Sequence, residues 1–107
     1  MTSEKINRLL NTAGKSFFIL HIEDMIASFD ILDTSPDLKT QKIEEYYKAQ
    51  NGFESKDQYG VRVRVNAVMQ IIRAGAVRKA IDLINPDDVR LSVEAQERMK
   101  DLGQRLG

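Results

Sequence analysis

The stretch that most constrains this chain covers residues 61–75, VRVRVNAVMQIIRAG. Val61, Val65, Val68, Met69 and Ile72 recur at the i, i+4, i+7, i+8, i+11 spacing of one α-helical face. At about 100° per residue, Arg62, Asn66, Gln70 and Arg73 gather on another face. A chain carrying this stretch buries the first face and presents the second. The alternating valines at 61, 63 and 65 also allow a short strand, and Gly60 weakens a helix start. The apolar spacing holds through Ile72, so the pattern predicts a helix over about residues 56–74.

Of the 107 residues, 42 % are apolar and 30 % charged. Those proportions suit a single domain over residues 1–107 that buries one core. The absence of cysteine excludes disulfides and thiolate metal ligands. The longest apolar run, residues 17–20, is far short of the roughly 20 needed to span a bilayer. Glu4, Lys5 and Arg8 interrupt the start, unlike a signal peptide. A soluble, cytoplasmic protein without a membrane partner is expected. Net charge is zero, but residues 53–80 hold six basic side chains against two acidic ones. Positive charge therefore concentrates around the organising helix.

Six helices are expected in order. Ser3 caps a first helix over residues 4–12, with Gly14 in a left-handed cap position. Gly14-Lys15-Ser16 resembles the end of a phosphate-binding loop. That motif needs a glycine five positions earlier, where Leu9 stands, and a preceding strand, so the reading is rejected. A second helix, residues 15–32, carries Phe18, Ile22, Met25, Ile26 and Phe29 and should be the most buried. Ser35-Pro36 suits either a turn or a cap with proline in the first helical position, and a third helix follows from about Leu38 or Thr40 to residue 50. The organising helix is the fourth. A fifth covers residues 76–84, and Ser92 caps a sixth over residues 93–106. Its stripe of Val93, Gln96, Met99, Leu102 and Leu106 is thin. Residues 1–85 are thus read as the core, and 86–107 as a capping or partner-binding helix through which a homodimer can form. The fold class is all-α: a compact bundle of five to six helices with a helix-turn-helix-like centre. The expected core is Leu9, Phe18, Ile22, Ile26, Phe29, Ile43, Tyr47, Phe53, Val65, Val68, Ile72, Ile81 and Ile84.

Helix three, a short connection and a basic helix four have the layout of a helix-turn-helix. Arginine pairs with guanine, and asparagine or glutamine with adenine. Arg62, Asn66, Gln70 and Arg73 supply that set, with Lys56, Arg78 and Lys79 flanking it as phosphate contacts. Arg64 falls near the apolar stripe and should snorkel or pair with an acid inside the fold.

Residues 9–24, LLNTAGKSFFILHIED, and 51–84, NGFESKDQYGVRVRVNAVMQIIRAGAVRKAIDLI, resemble a family of short bacterial helical proteins of unassigned activity. Shared features are a Gly-Lys and aromatic-rich helix, a glycine-plus-aromatic turn, an Arg-x-Arg helix and a short glycine-started helix. The resemblance implies a mobile-element or host-defence setting and a helix-turn-helix-like core. It supplies no functional residues.

Two function classes follow: a nucleic-acid-binding regulator acting through the polar face of helix 56–74, or a protein-interaction module. The second class includes a phage or defence-system inhibitor, an antitoxin-like partner or a complex subunit. The pI of about 6.6 counts against the first. The aromatics Phe17, Tyr46, Tyr47 and Tyr59 motivate the second. An enzyme is not expected. His21 is the only histidine and is read as a partly buried or surface residue, so no metal site is predicted. The adjacent pairs Glu44-Glu45 and Asp87-Asp88 diverge on a helix. No catalytic residue, metal or cofactor is expected.

Overall fold

The computed structural model describes residues 1–49 and 58–105, with side chains through residue 102. Described residues form seven helices: α1 (Ser3–Ala13), α2 (Lys15–Ala27), α3 (Phe29–Thr34), α4 (Pro36–Ala49), α5 (Gln58–Arg73), α6 (Val77–Leu83) and α7 (Val93–Arg105). None is strand, so the valines at 61, 63 and 65 are helical.

The count exceeds the expected five to six because the second helix divides. Ser28, at φ −103° and ψ 8°, leaves helical geometry between α2 and α3. Its N–H reaches the Asp24 carbonyl, and its own carbonyl accepts from Leu32 at 2.9 Å. A serine that offers the backbone alternative partners suits such a joint. Single residues also join α1 to α2 (Gly14) and α3 to α4 (Ser35). Gly14 has φ 84°, a positive value that favours glycine. Its amide donates to the Leu10 carbonyl at 2.8 Å and closes α1.

Caps explain the other boundaries. The α1 cap is Thr2 rather than Ser3: its Oγ1 accepts from the Lys5 amide at 3.2 Å. Pro36 opens α4, and Ser35 Oγ accepts from Leu38 N–H at 3.4 Å. Ser92 Oγ accepts from Ala95 N–H at 3.1 Å and starts α7.

The core forms where α1 lies along α5, with α2 against both. Ile6 and Leu10 of α1, Phe17, Phe18 and Ile22 of α2, and Val61, Val65 and Val68 of α5 are fully buried. Removing each such side chain from water contributes on the order of 1.5–3 kcal/mol. Leu9, Ile43, Ile81 and Ile84 are also buried as expected, while Phe29 and Tyr47 are half-buried. Two more expected core residues fall short of burial, one of them exposed. Ile26 is 38 % exposed because α2 ends one residue later. Ile72, in the last turn of α5, is half-buried while Ile71 beside it is fully buried. Phe53 lies outside the described residues.

The last helix packs on α2. Ala95, Met99 and Leu102 are buried. Val93 points outward at 71 % exposure. Among the described residues, no helix is long and apolar enough to cross a membrane.

Candidate nucleic-acid interface

The polar face of α5 is not an open face. It lies beside α3 and α4, which run antiparallel to it. Arg73 Nη2 meets Asp33 Oδ1 at 2.6 Å, Lys39 Nζ donates to Asn66 Oδ1 at 2.6 Å, and Arg62 Nη2 donates to Thr40 Oγ1 at 3.3 Å. The contact positions rise along α3–α4 as they fall along α5, so three side chains of one α5 stripe bond to neighbouring helices. Arg73 also sits 5.8 Å from the centroid of the Phe29 ring, within cation–π range.

These bonds assemble a cluster of like charge. Lys39, Arg62 and Arg73 stand close enough to interact, with Asp33 as the carboxylate among them. Burial pushes the Lys39 ammonium below its ordinary range, and the charges of Arg62 and Arg73 push the same way. Asp33 opposes them. Gln70 remains exposed on the same stripe. Among the described residues, the surface thus presents three cations, two amides and one acid along the α4–α5 seam.

The remaining sequence candidates lie elsewhere. Arg78 and Lys79 are exposed on α6, which packs mainly against α1. Arg78 Nε pairs with Asp82 Oδ1 one turn on, at 3.3 Å. Lys56 lies outside the described residues. Arg64 turns inward as expected, and its Nη1 donates to the Ala13 carbonyl at 2.6 Å. Periodicity therefore brought Arg62, Asn66, Gln70 and Arg73 together correctly, but it missed Lys39. No local signal marks that lysine, because its neighbours come from 27 and 34 residues further along the chain.

No family model, curated protein or solved structure matches this chain.

His21 is held away from the seam. Its ring lies 4.8 Å from Phe17 and 4.5 Å from Tyr46, centroid to centroid. Burial lowers its pKa to about 4, against the opposing pull of Asp24. Asp24 accepts from Tyr46 Oη at 2.5 Å and from Lys42 Nζ at 2.9 Å. Burial pushes the Asp24 carboxyl up, but those hydrogen bonds outweigh it and hold the group below its ordinary value. The arrangement ties α2 to α4.

Proposed function

We propose that this chain is a small polyanion-binding protein whose α4–α5 seam contacts the phosphate backbone of duplex nucleic acid. The observation that supports this most is the meeting of Lys39, Arg62 and Arg73 around one carboxylate, Asp33. Like charges held together oppose folding, and an arriving phosphate offsets that repulsion. Arg62 and Arg73 are already oriented by lateral bonds, so less side-chain entropy is lost on binding. Those same bonds limit base reading. Asn66 Oδ1 is occupied by Lys39, and an adenine pair needs that oxygen. The reading is therefore backbone contact with weak sequence preference, rather than the base-specific recognition expected from the α5 face.

A second nucleic-acid mode rests on α6. The helix-turn-helix expected from sequence pairs α4 with α5, and its connection, residues 50–57, lies outside the described residues. Residues 74–76 join α5 to α6 with Gly75 at φ 67°, a short glycine turn of the kind that motif uses. Arg78 and Lys79 stand exposed in the first turn of α6, where a recognition helix places its base and phosphate contacts.

One experiment separates these modes. Binding of random-sequence duplex DNA at low salt is measured for the wild type, a Lys39→Ala/Arg62→Ala/Arg73→Ala variant and an Arg78→Ala/Lys79→Ala variant. The seam variant is expected to lose affinity by about tenfold or more, and the α6 variant by less. The reverse order moves the contact to α6. If the wild type does not bind even at low salt, the nucleic-acid reading is wrong. The exposed Ile26, Ile31 and Leu38 then become the first residues to test against protein partners.

A further inference from the structure

The second cationic cluster surrounds a cavity on the opposite flank of α5. It has a volume of about 250 Å³ and opens at the junction of α1 and α2. Among the described residues, the ionisable side chains on its wall are all cations: Lys15 from the start of α2, Arg64 from α5, and Arg90 from the segment between α6 and α7. Asn11 and Ser16 add polar groups, and Leu10 and Phe17 form an apolar floor. Three positive side chains from three distant parts of the chain thus converge on one concavity.

Each is held in place. Arg64 passes under Gly14 and donates to the Ala13 carbonyl at 2.6 Å. A Cβ at Gly14 would overlap the Arg64 Nη1 atom, so the glycine makes room for the guanidinium. Asp88 stands outside the cavity wall and bonds two of the cations. Its Oδ2 lies 3.2 Å from Lys15 Nζ and 2.9 Å from Arg90 Nη2. The Arg90 hydrogen bonds, joined by Lys15, hold the Asp88 carboxyl well below the usual range. The buried Ser16 hydroxyl accepts from the Ser92 amide at 3.1 Å and fastens this segment to α2. One carboxylate thus positions two of the cations without lining the cavity itself. The first amides of α2 add a partial positive charge at the same place. A helix terminus alone would not define a site; the convergence of Lys15, Arg64 and Arg90 on a cavity does.

We propose that this cavity binds a small phosphate-bearing anion, either inorganic phosphate or a phosphomonoester with a short organic stub. Its volume, about 250 Å³, lies just below the roughly 300–1,000 Å³ of pockets that take drug-sized ligands, which suits a small anion. Arginine forks match tetrahedral oxyanions, and the apolar floor of Leu10 and Phe17 suits a short carbon stub. This is not a nucleotide-binding P-loop: helix α1, not a strand, precedes Gly14, and Leu9 still stands where that motif needs glycine.

The test is a titration of the isotopically labelled full chain with inorganic phosphate, followed by NMR, with chloride at matched ionic strength as reference. The amides of Gly14, Lys15, Ser16 and Phe17 and the Arg90 side chain are expected to shift with phosphate and not with chloride. Arg90→Ala, at an exposed side chain, and Lys15→Ala should each weaken phosphate binding by about tenfold. The Lys39→Ala/Arg62→Ala/Arg73→Ala variant should bind phosphate as the wild type does, which keeps this proposal separable from the nucleic-acid reading. Titration with glycerol phosphate distinguishes the ligand sources: added shifts at Leu10 and Phe17 assign a phosphomonoester, and their absence assigns inorganic phosphate. The proposal is overturned if phosphate does no more than chloride. It is equally overturned if Arg90→Ala and Lys15→Ala bind as tightly as the wild type, or if the shifts map to Lys39 and Arg62 instead.

Discussion

Arg62 and Arg64 lie two residues apart on α5 and meet opposite surroundings. Arg62 joins Lys39 and Arg73 along an outer seam, bonded sideways to α4. Arg64 turns under Gly14 into a concave site shared with Lys15 and Arg90. Arginines at i and i+2 fall about 200° apart on a helix, so one helix supplies cations to both flanks. The difference lies in shape. The seam runs along two helices, from Arg62 and Thr40 to Arg73 and Asp33, which suits an extended phosphate backbone. The cavity is a small, open concavity lined by side chains from separate elements, which suits one compact anion. Helix α5 thus sends Arg62 and Arg73 to one flank and Arg64 to the other, and net charge alone describes neither surrounding.

The sharpest way to break this comparison is to disturb the glycines. Gly14→Ala forces a positive φ on an alanine and drives its Cβ into Arg64. A destabilisation of about 2–4 kcal/mol is expected, read as a fall in the urea midpoint. Gly75→Ala also places an alanine at positive φ, 67°, but nothing lies within 4 Å of its added Cβ. It should cost about 1 kcal/mol. Gly14 combines φ 84° with ψ 127°, outside the left-handed helical region, so its backbone penalty is the larger and the displaced Arg64 end adds to it. Equal losses at the two positions would contradict that ranking.

Acid offers the next largest effect and a control on both sites. His21 titrates at about 4 in the folded chain against 6.5 for an ordinary histidine, because it is buried. Between those values the unfolded chain binds a proton that the native chain excludes. Stability present above about pH 6.5 is therefore lost as pH falls toward 4, by about 2–3 kcal/mol. A His21→Phe variant should flatten that part of the pH–stability profile. An unchanged slope in the variant would place the acid-sensitive group elsewhere.

The smallest effect is expected at the seam itself. Arg73–Asp33 is an exposed pair with both side chains more than 40 % accessible. Asp33→Asn should change stability by about 0.5 kcal/mol or less. The same variant removes the one carboxylate from the cluster, so duplex binding should tighten by about two- to threefold, measured at low salt. Weaker binding would show that Asp33 matters more for orienting Arg73 than for its charge.

The sequence made one side of this comparison more legible than the other. The seam rests on an i, i+4, i+8 stripe, and Arg62, Asn66, Gln70 and Arg73 follow from helical period alone. Lys39 does not, because its place beside α5 is set by tertiary packing between two helices and not by the period of either. The cavity was hidden for the same reason: Lys15, Arg64 and Arg90 are far apart in the chain, and no period links them. Gly14-Lys15-Ser16 was visible as a motif fragment, but its surroundings were not. Within the fold, caps at Ser35 and Ser92 and the α5 core face were readable from local chemistry. The break at Ser28 was not, since the apolar residues on either side continue a helical spacing. Ile26 was assigned to the core by that spacing and is exposed because the helix stops beside it.

The most direct measurement of the central claim is the salt dependence of duplex DNA binding for the wild type and Lys39→Ala. Three cations on phosphates predict a slope of log K against log salt of about −2.7, and removal of one should reduce it by about 0.9. A wild-type slope that Lys39→Ala leaves unchanged, or the absence of binding at low salt, would contradict the account.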